Sequence, residues 1–306
     1  MCTNPRHVPV MLAEVVSILR PVTAGTYVDC TLGSAGHAAA ILAASAPAGR
    51  LVGVDRDTEA VARAREELAR FGDRAVCWQM DYRDLPARWE SVCGGPVNGI
   101  LVDMGVSLEQ LRSAERGFSF RDAGPLDMRM DTSREVSLAE LINTADLDSL
   151  AKILRDGGQA RFSYRISRLI LERFAAGRLA TTADLAAAIE AAIPRRFRPR
   201  RIHPATVAFQ ALRIAVNAEL DNLASFLTSA AARLGPGGRL VVIAYHSLED
   251  RIVKGTFRNL VQTPATAAAV TYEGPRRIMR PTAAEIAENA SARSAKLRWI
   301  ERREEE

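Results

Sequence analysis

No two of the four cysteines, Cys2, Cys30, Cys77 and Cys93, stand in a CxxC pair, and the four histidines are equally scattered. The usual zinc spacings and a dense disulfide framework are therefore excluded, so reduced, mostly structural thiols and no metal are expected. No run approaches the ~18 apolar residues that a membrane span needs. The opening stretch MCTNPRHVPVMLAEVVSILRP interrupts its apolar positions with Glu14 and has no cleavage-like end. That argues for a cytoplasmic protein. What the chain does have is 48% hydrophobic residues over 306 positions, enough for one large core or two ordinary ones.

Acidic excess is also missing. The net charge is +5, and its location says more than its size. Residues 111 to 202 hold 17 Lys and Arg against 12 Asp and Glu, while the remainder holds 24 of each. One segment thus carries the whole basic excess, which suggests a nucleic-acid face there.

Short apolar runs alternate with helical patterns through the first third, the pattern of a parallel sheet covered by helices. Strands are expected at 26–30, 50–55, 75–80 and 99–104. Asp57 suits the N-cap of the helix that follows, and Gly72 its stop. The alternation lapses from 111 to 202, which reads as helical or irregular with turns at Gly124-Pro125, Gly157-Gly158 and Pro194. From 203 to 234 the spacing of Phe209, Leu212, Val216, Leu220, Leu223, Leu227 and Leu234 predicts one long amphipathic helix. GPGG at 235–238 would end it, RLVVIAYHS would form another buried strand, AKLRWIER an edge strand, and the terminal EEE a solvated tail. The expectation is an α/β chain whose sheet domain, 1–110 with 203–306, is interrupted by a mostly helical, basic domain at 111–202.

In an open α/β sheet, ligands sit beyond the carboxyl ends of the strands. The first of these ends is VDCTLGSAGHAAAIL, residues 28–42, where Gly33 and Gly36 turn the chain toward a helix. The dinucleotide fingerprint GxGxxG is incomplete there. The other ends supply Asp55, DYRD at 81–84, Asp103 and Tyr245-His246. Asp55 follows Asp29 by 26 residues, close to the spacing at which an acid meets a ribose hydroxyl pair. NAD and S-adenosylmethionine both carry that ribose, but only the dinucleotide needs the third glycine for phosphate, which favours S-adenosylmethionine. Asp103 would then accept a hydrogen bond from an exocyclic base amine, bind the donor, or serve only as a cap or loop carboxylate. Met104 and Gly105 follow it, so the proline pair and aromatic common in DNA amino-methyltransferases are absent.

In the basic segment, Arg195, Arg196, Arg198, Arg200 and Arg201 surround Phe197. Guanidinium groups pair with phosphates and both residue types stack on bases, so RNA contact is weighed against an ordinary solvated loop. Phe118 and Phe120 are read as stacking platforms or as core. His246-Ser247 lacks the glycine-flanked turn of a hydrolase nucleophile.

The blocks GVS, ERGFSFRDAGPLDMRMD at 115–131, HPAT with FQALRIAVNAEL at 203–220, HSLEDRIVK at 246–254 and ARSAKLR at 292–298 are long and ordered. Over His7 to about Arg298 the chain resembles the bacterial 16S ribosomal RNA cytosine-N4 methyltransferase family, RsmH/MraW. The resemblance implies a Rossmann-like class I S-adenosylmethionine-dependent methyltransferase core with an inserted helical domain. It also implies action on the N4 amine of one cytidine in the decoding region of the small ribosomal subunit. The family's donor-binding pattern maps onto Ala35, Gly36, His37, Asp55, Tyr82, Asp103 and Gln110. Ser34, Ala35, Val207 and the GQARF stretch at 158–162 depart from the common pattern. A non-catalytic RNA-binding assembly factor, or methylation of a protein or small molecule, are the competing readings. The oligomeric state stays open, a homodimer included.

Overall fold

The structure, a computed structural model, describes residues 9–133, 136–262, 270–275 and 277–303. It divides into two compact units, Met1–Gly105 with Asn222–Glu306, and Val106–Asp221.

The first unit is built on seven strands: β1 (Thr26–Asp29), β2 (Arg50–Asp55), β3 (Ala75–Gln79), β4 (Val97–Asp103), β5 (Leu234–Ala244), β6 (Tyr272–Glu273) and β7 (Lys296–Arg302). Their order is β3-β2-β1-β4-β5-β7-β6, with β1 to β5 parallel and β7 antiparallel to both its neighbours. The chain moves outward from β1 to β3 and then returns to the other side of β1 with β4. The carboxyl ends of β1 and β4 therefore flank the switch point where doubly wound sheets bind ligands.

Side chains alternate across each strand, and the sheet sorts them into two cores. Val28, Ile100, Val102 and Val242 face the helices Leu85–Cys93, Leu223–Ala231 and Ser247–Gln262. Tyr27, Leu51, Leu101, Val241 and Ile243 face the helices Leu12–Leu19, Gly36–Ala44 and Thr58–Leu68. Both faces are covered, which is why the central strands read as continuous apolar runs.

The second unit packs the helices Leu138–Thr144, Leu147–Asp156, Ser163–Ala175, Thr182–Ala192 and Thr206–Asn217 around Leu138, Leu150, Ile166, Ile189 and Leu212, all fully buried. Three of the five helices begin with a reciprocal capping box, at Ser137 with Glu140, Asp146 with Ser149, and Thr181 with Asp184. Each box satisfies two backbone donors that a helix start leaves over. No helix among the described residues is long and apolar enough to cross a membrane.

Several expectations need correction. The helix expected over 203–234 is two, Thr206–Asn217 and Leu223–Ala231, broken where Ala218 (φ 48°) and Asn222 (φ 56°) turn left-handed. Its first half packs into the helical unit, so the units divide at 105/106 and 221/222 instead of 110/111 and 202/203. GPGG does not end a helix, because residues 235–238 lie within β5, whose pairing with β4 shifts register there. AKLRWIER forms β7 between β5 and the two-residue β6, so it is an inner strand. Asp57 does cap its helix, accepting from Glu59 N–H, but that helix stops at Leu68 and Gly72 sits in the following 3-10 turn. The expected solvated tail at 304–306 lies outside the described residues.

Candidate functional site

β1 delivers Asp29, only 1% exposed, into the glycine turn. Thr31 N–H donates to its Oδ1 at 3.0 Å, whereas Oδ2 is buried with no hydrogen-bond partner among the described residues. Gly33 holds φ at +50°, and nothing lies within 4 Å of where its Cβ would stand, so the turn has an open side. A Cβ on Gly36 would fall 2.2 Å from the Pro9 ring, which restricts the first residue of the helix Gly36–Ala44 to glycine. Ala35 caps that helix at φ 61° and ψ 17°. This conformation costs an L-residue about 1–2 kcal/mol, and the chain holds it where the helix N-terminus faces the turn.

Asp55, the last residue of β2, braces the same turn. Its Oδ2 accepts from Gly33 N–H and its Oδ1 from Asp57 N–H, both at 2.9 Å. Each oxygen has a second lone pair, so the carboxylate keeps capacity for a hydroxyl donor. His37 is buried, with Nε2 2.9 Å from the Val10 carbonyl and Nδ1 3.8 Å from Asp103 Oδ2. Asp103 ends β4; its backbone N–H donates to Thr31 Oγ1 at 2.7 Å and its Oδ1 accepts from the Tyr245 hydroxyl at 2.8 Å. Hydrogen bonds thus tie Asp55 and Asp103 to the one turn, and His37 stands beside them at ion-pair distance from Asp103.

Its electrostatics are unusual. Burial pushes the Asp29 carboxyl up to about 7, against the Thr31 N–H bond and with help from Asp55. Burial also lifts Asp103 to about 7, opposed by the Tyr245 bond and reinforced by Asp29 and Glu249. Asp55 is raised too, mainly by burial. Three desolvated carboxylates around one turn form a cluster that a cation would relieve and an anion would aggravate.

Tyr82 stands in the short turn after β3, half-buried, its ring 4.6 Å from that of Phe226. Gln110 lies in the helical unit, where its side-chain oxygen accepts from Ser107 N–H at 2.9 Å and closes a capping box. His246 is buried: Glu249 Oε1 is 3.1 Å from its Nε2, and Glu249 Oε2 accepts the Tyr245 and His246 N–H groups at 2.8 and 3.2 Å. Tyr245, noted in the sequence only as a strand end, is the residue that sequence reasoning undervalued. Its link to Asp103 runs across strands 142 residues apart and leaves no local spacing signal.

In the basic segment, Arg195, Arg196, Arg200 and Arg201 are exposed. Arg198 is withdrawn from that set, since it is ion-paired to Glu190 and donates to the Glu190 and Ile193 carbonyls. Phe197 does not offer a bare face either. Arg161 lies over its ring at 3.7 Å and Arg196 at 4.7 Å, with Phe162 at 5.5 Å. Of the two readings of Phe118 and Phe120, core holds: Phe118 is buried, and Phe120 packs on Phe209 and His203 at 4.8 and 4.6 Å.

The model of the MraW methylase family matches residues 4–303. The protein named ribosomal RNA small subunit methyltransferase H from Syntrophotalea carbinolica is 45% identical over 307 residues, covering 97% of this chain and 98% of that one. Its namesake from Geobacter sulfurreducens is 46% identical over 306 residues, with the same two coverages. The one from Geotalea daltonii is 44% identical over 311 residues, again covering 97% and 98%.

Proposed function

The chain belongs to the MraW methylase family, and from that premise we propose that it transfers a methyl group from S-adenosylmethionine to the N4 amine of a cytidine in the decoding region of 16S ribosomal RNA, in the cytoplasm. The observation that carries the choice of donor is the carboxylate cluster. Asp29, Asp55 and Asp103 are all raised by burial, and each of the three is influenced by a neighbouring acid. A dinucleotide would bring a pyrophosphate into that field. S-adenosylmethionine instead brings a sulfonium and an ammonium against one carboxylate, a net positive charge, with ribose hydroxyls as donors, and it supplies an electrophilic methyl group.

The residues fit such a group. The orphaned Asp29 Oδ2 and the spare lone pairs of Asp55 call for donors, and the open side at Gly33 leaves room for one. Asp55 would take the ribose hydroxyls, Tyr82 would lie against the adenine, and the backbone at Ala35, Gly36 and His37 would receive the methionine end. Asp103 would accept a hydrogen bond where donor and amine meet. The N4 lone pair is delocalised into the cytosine ring, so an acceptor that orients and polarises its N–H assists attack. Arg195, Arg196, Arg200 and Arg201 would hold RNA phosphates, with Phe197 supporting two guanidinium planes. The target base must leave its stack to be reached.

Titration calorimetry with both ligands tests the donor. Heat from S-adenosylmethionine and none from NAD is expected; the reverse would overturn the reading. RNA binding without any methyl transfer would favour the non-catalytic assembly factor.

A further inference from the structure

Residues 152–178 hold seven Lys and Arg against two acids, an excess of five that equals the net charge of the entire chain. Both acids are already used within their own helices, Asp156 by Lys152 and Glu172 by Arg168. Arg155, Arg161 and Arg165 have no ion-pair partner among the described residues. On the helix Ser163–Ala175, Ser163, Ile166, Ser167 and Ile170 form the buried stripe at three- and four-residue spacing. Tyr164, Arg165 and Arg168 stand on the opposite, exposed side.

Exposure of Tyr164 is 51%, high for a ring of that size in a helix that has a well-filled inner face. Arg155 reaches across from the helix Leu147–Asp156 and lies 5.1 Å over it. Arg161, just before the same helix, lies over Phe197 at 3.7 Å. The arrangement repeats at both places: a guanidinium lies over an aromatic ring, and no carboxylate pairs with it among the described residues. Unneutralised guanidinium groups beside aromatic rings suit a nucleic-acid strand, because they stack on bases and pair with phosphates together.

We propose that the outer face of the helix Ser163–Ala175, with Arg155 and Arg161 at its edges, is a second RNA-contact surface, engaging an unpaired stretch of small-subunit ribosomal RNA through phosphate pairing by Arg161 and Arg165 and base stacking on Tyr164. It rests on the reading of the protein as an RNA methyltransferase and extends the contact area beyond the arginines of 195–201. Charge complementarity selects the partner, since a polyanion meets this face without displacing any existing ion pair at Arg155, Arg161 or Arg165.

Affinity for small-subunit ribosomal RNA, measured across a series of salt concentrations, tests the surface. Arg161→Gln and Arg165→Gln should each weaken binding several-fold at about 0.1 M salt and reduce the slope of log affinity against log salt by roughly 0.7–1. Tyr164→Ala should weaken it on the order of tenfold with the slope unchanged, and Tyr164→Phe should restore it, because the ring and not the hydroxyl does the stacking. All three side chains are exposed, so the thermal transition and S-adenosylmethionine affinity should stay as in the parent. Folded variants that bind RNA with parental affinity and slope would overturn the proposal, as would a demonstration that the face binds only an acidic protein. Methyl transfer by the parent is read separately. RNA binding that follows this pattern with no transfer would refute the proposed function and leave the surface standing.

Discussion

Asp103 joins three strands' worth of chemistry in one side chain: Thr31 holds its backbone, Tyr245 takes one oxygen, and His37 faces the other. Because burial lifts its carboxyl to about 7, the proton-bound form prevails below that value, and only the ionised form accepts hydrogen bonds at both oxygens. Donor affinity and kcat/KM for the donor should therefore rise with pH through about 7 and level off above it, whereas at saturating cationic donor the same limb should lie at lower pH. Asp103→Asn keeps the shape and removes the charge. It should weaken donor binding, flatten that acidic limb, and leave turnover lower by about tenfold or more even at saturation. A variant with unchanged donor affinity, turnover and pH profile would return Asp103 to a purely structural role. The identity of this residue was legible from its place after an apolar run. Its partners were not, because Thr31, His37 and Tyr245 reach it only through sheet topology.

At the scale of elements, the break between Thr206–Asn217 and Leu223–Ala231 shows where periodicity misleads. Apolar residues keep three- and four-residue spacing straight through 203–234 because both helices bury a face, yet Ala218 and Asn222 turn left-handed between them. Alanine has no preference for that conformation and the sequence gives no glycine or proline to mark the end. Ala218→Gly should stabilise the protein by about 0.5–1 kcal/mol by relieving the left-handed strain, read as a rise in the denaturation midpoint, whereas a fall would mean that the methyl group's packing outweighs it. β7 misled for a related reason. Alternation of apolar and polar residues is shared by edge and inner antiparallel strands, and only the pairing of β6 on its far side distinguishes them. Strand 50–55 and the Asp57 cap, by contrast, are set by local chemistry and were legible as such.

For the whole molecule, the sheet unit holds a turn lined by three raised carboxylates and the helical unit holds 18 Lys and Arg against 15 Asp and Glu, and the proposed reaction assigns the first to a cationic donor and the second to an anionic substrate. The basic excess counted over 111–202 falls inside the helical unit, whose wider bounds take in three more acids and one more arginine. The division of labour inside it was hidden, since Arg198 is spent on Glu190 while Arg155, Arg161 and Arg165 have no ion-pair partner among the described residues. The central claim is that these two fields serve one reaction, methylation of a cytidine amine in small-subunit ribosomal RNA. Mass-spectrometric mapping of that RNA, from cells with and without the gene, tests this most directly. The account expects one cytidine in the decoding region to lose a base N4-methyl group when the gene is absent and to regain it when purified protein and S-adenosylmethionine are added. RNA with identical base methylation in both cells, and no transfer on addition, would contradict it.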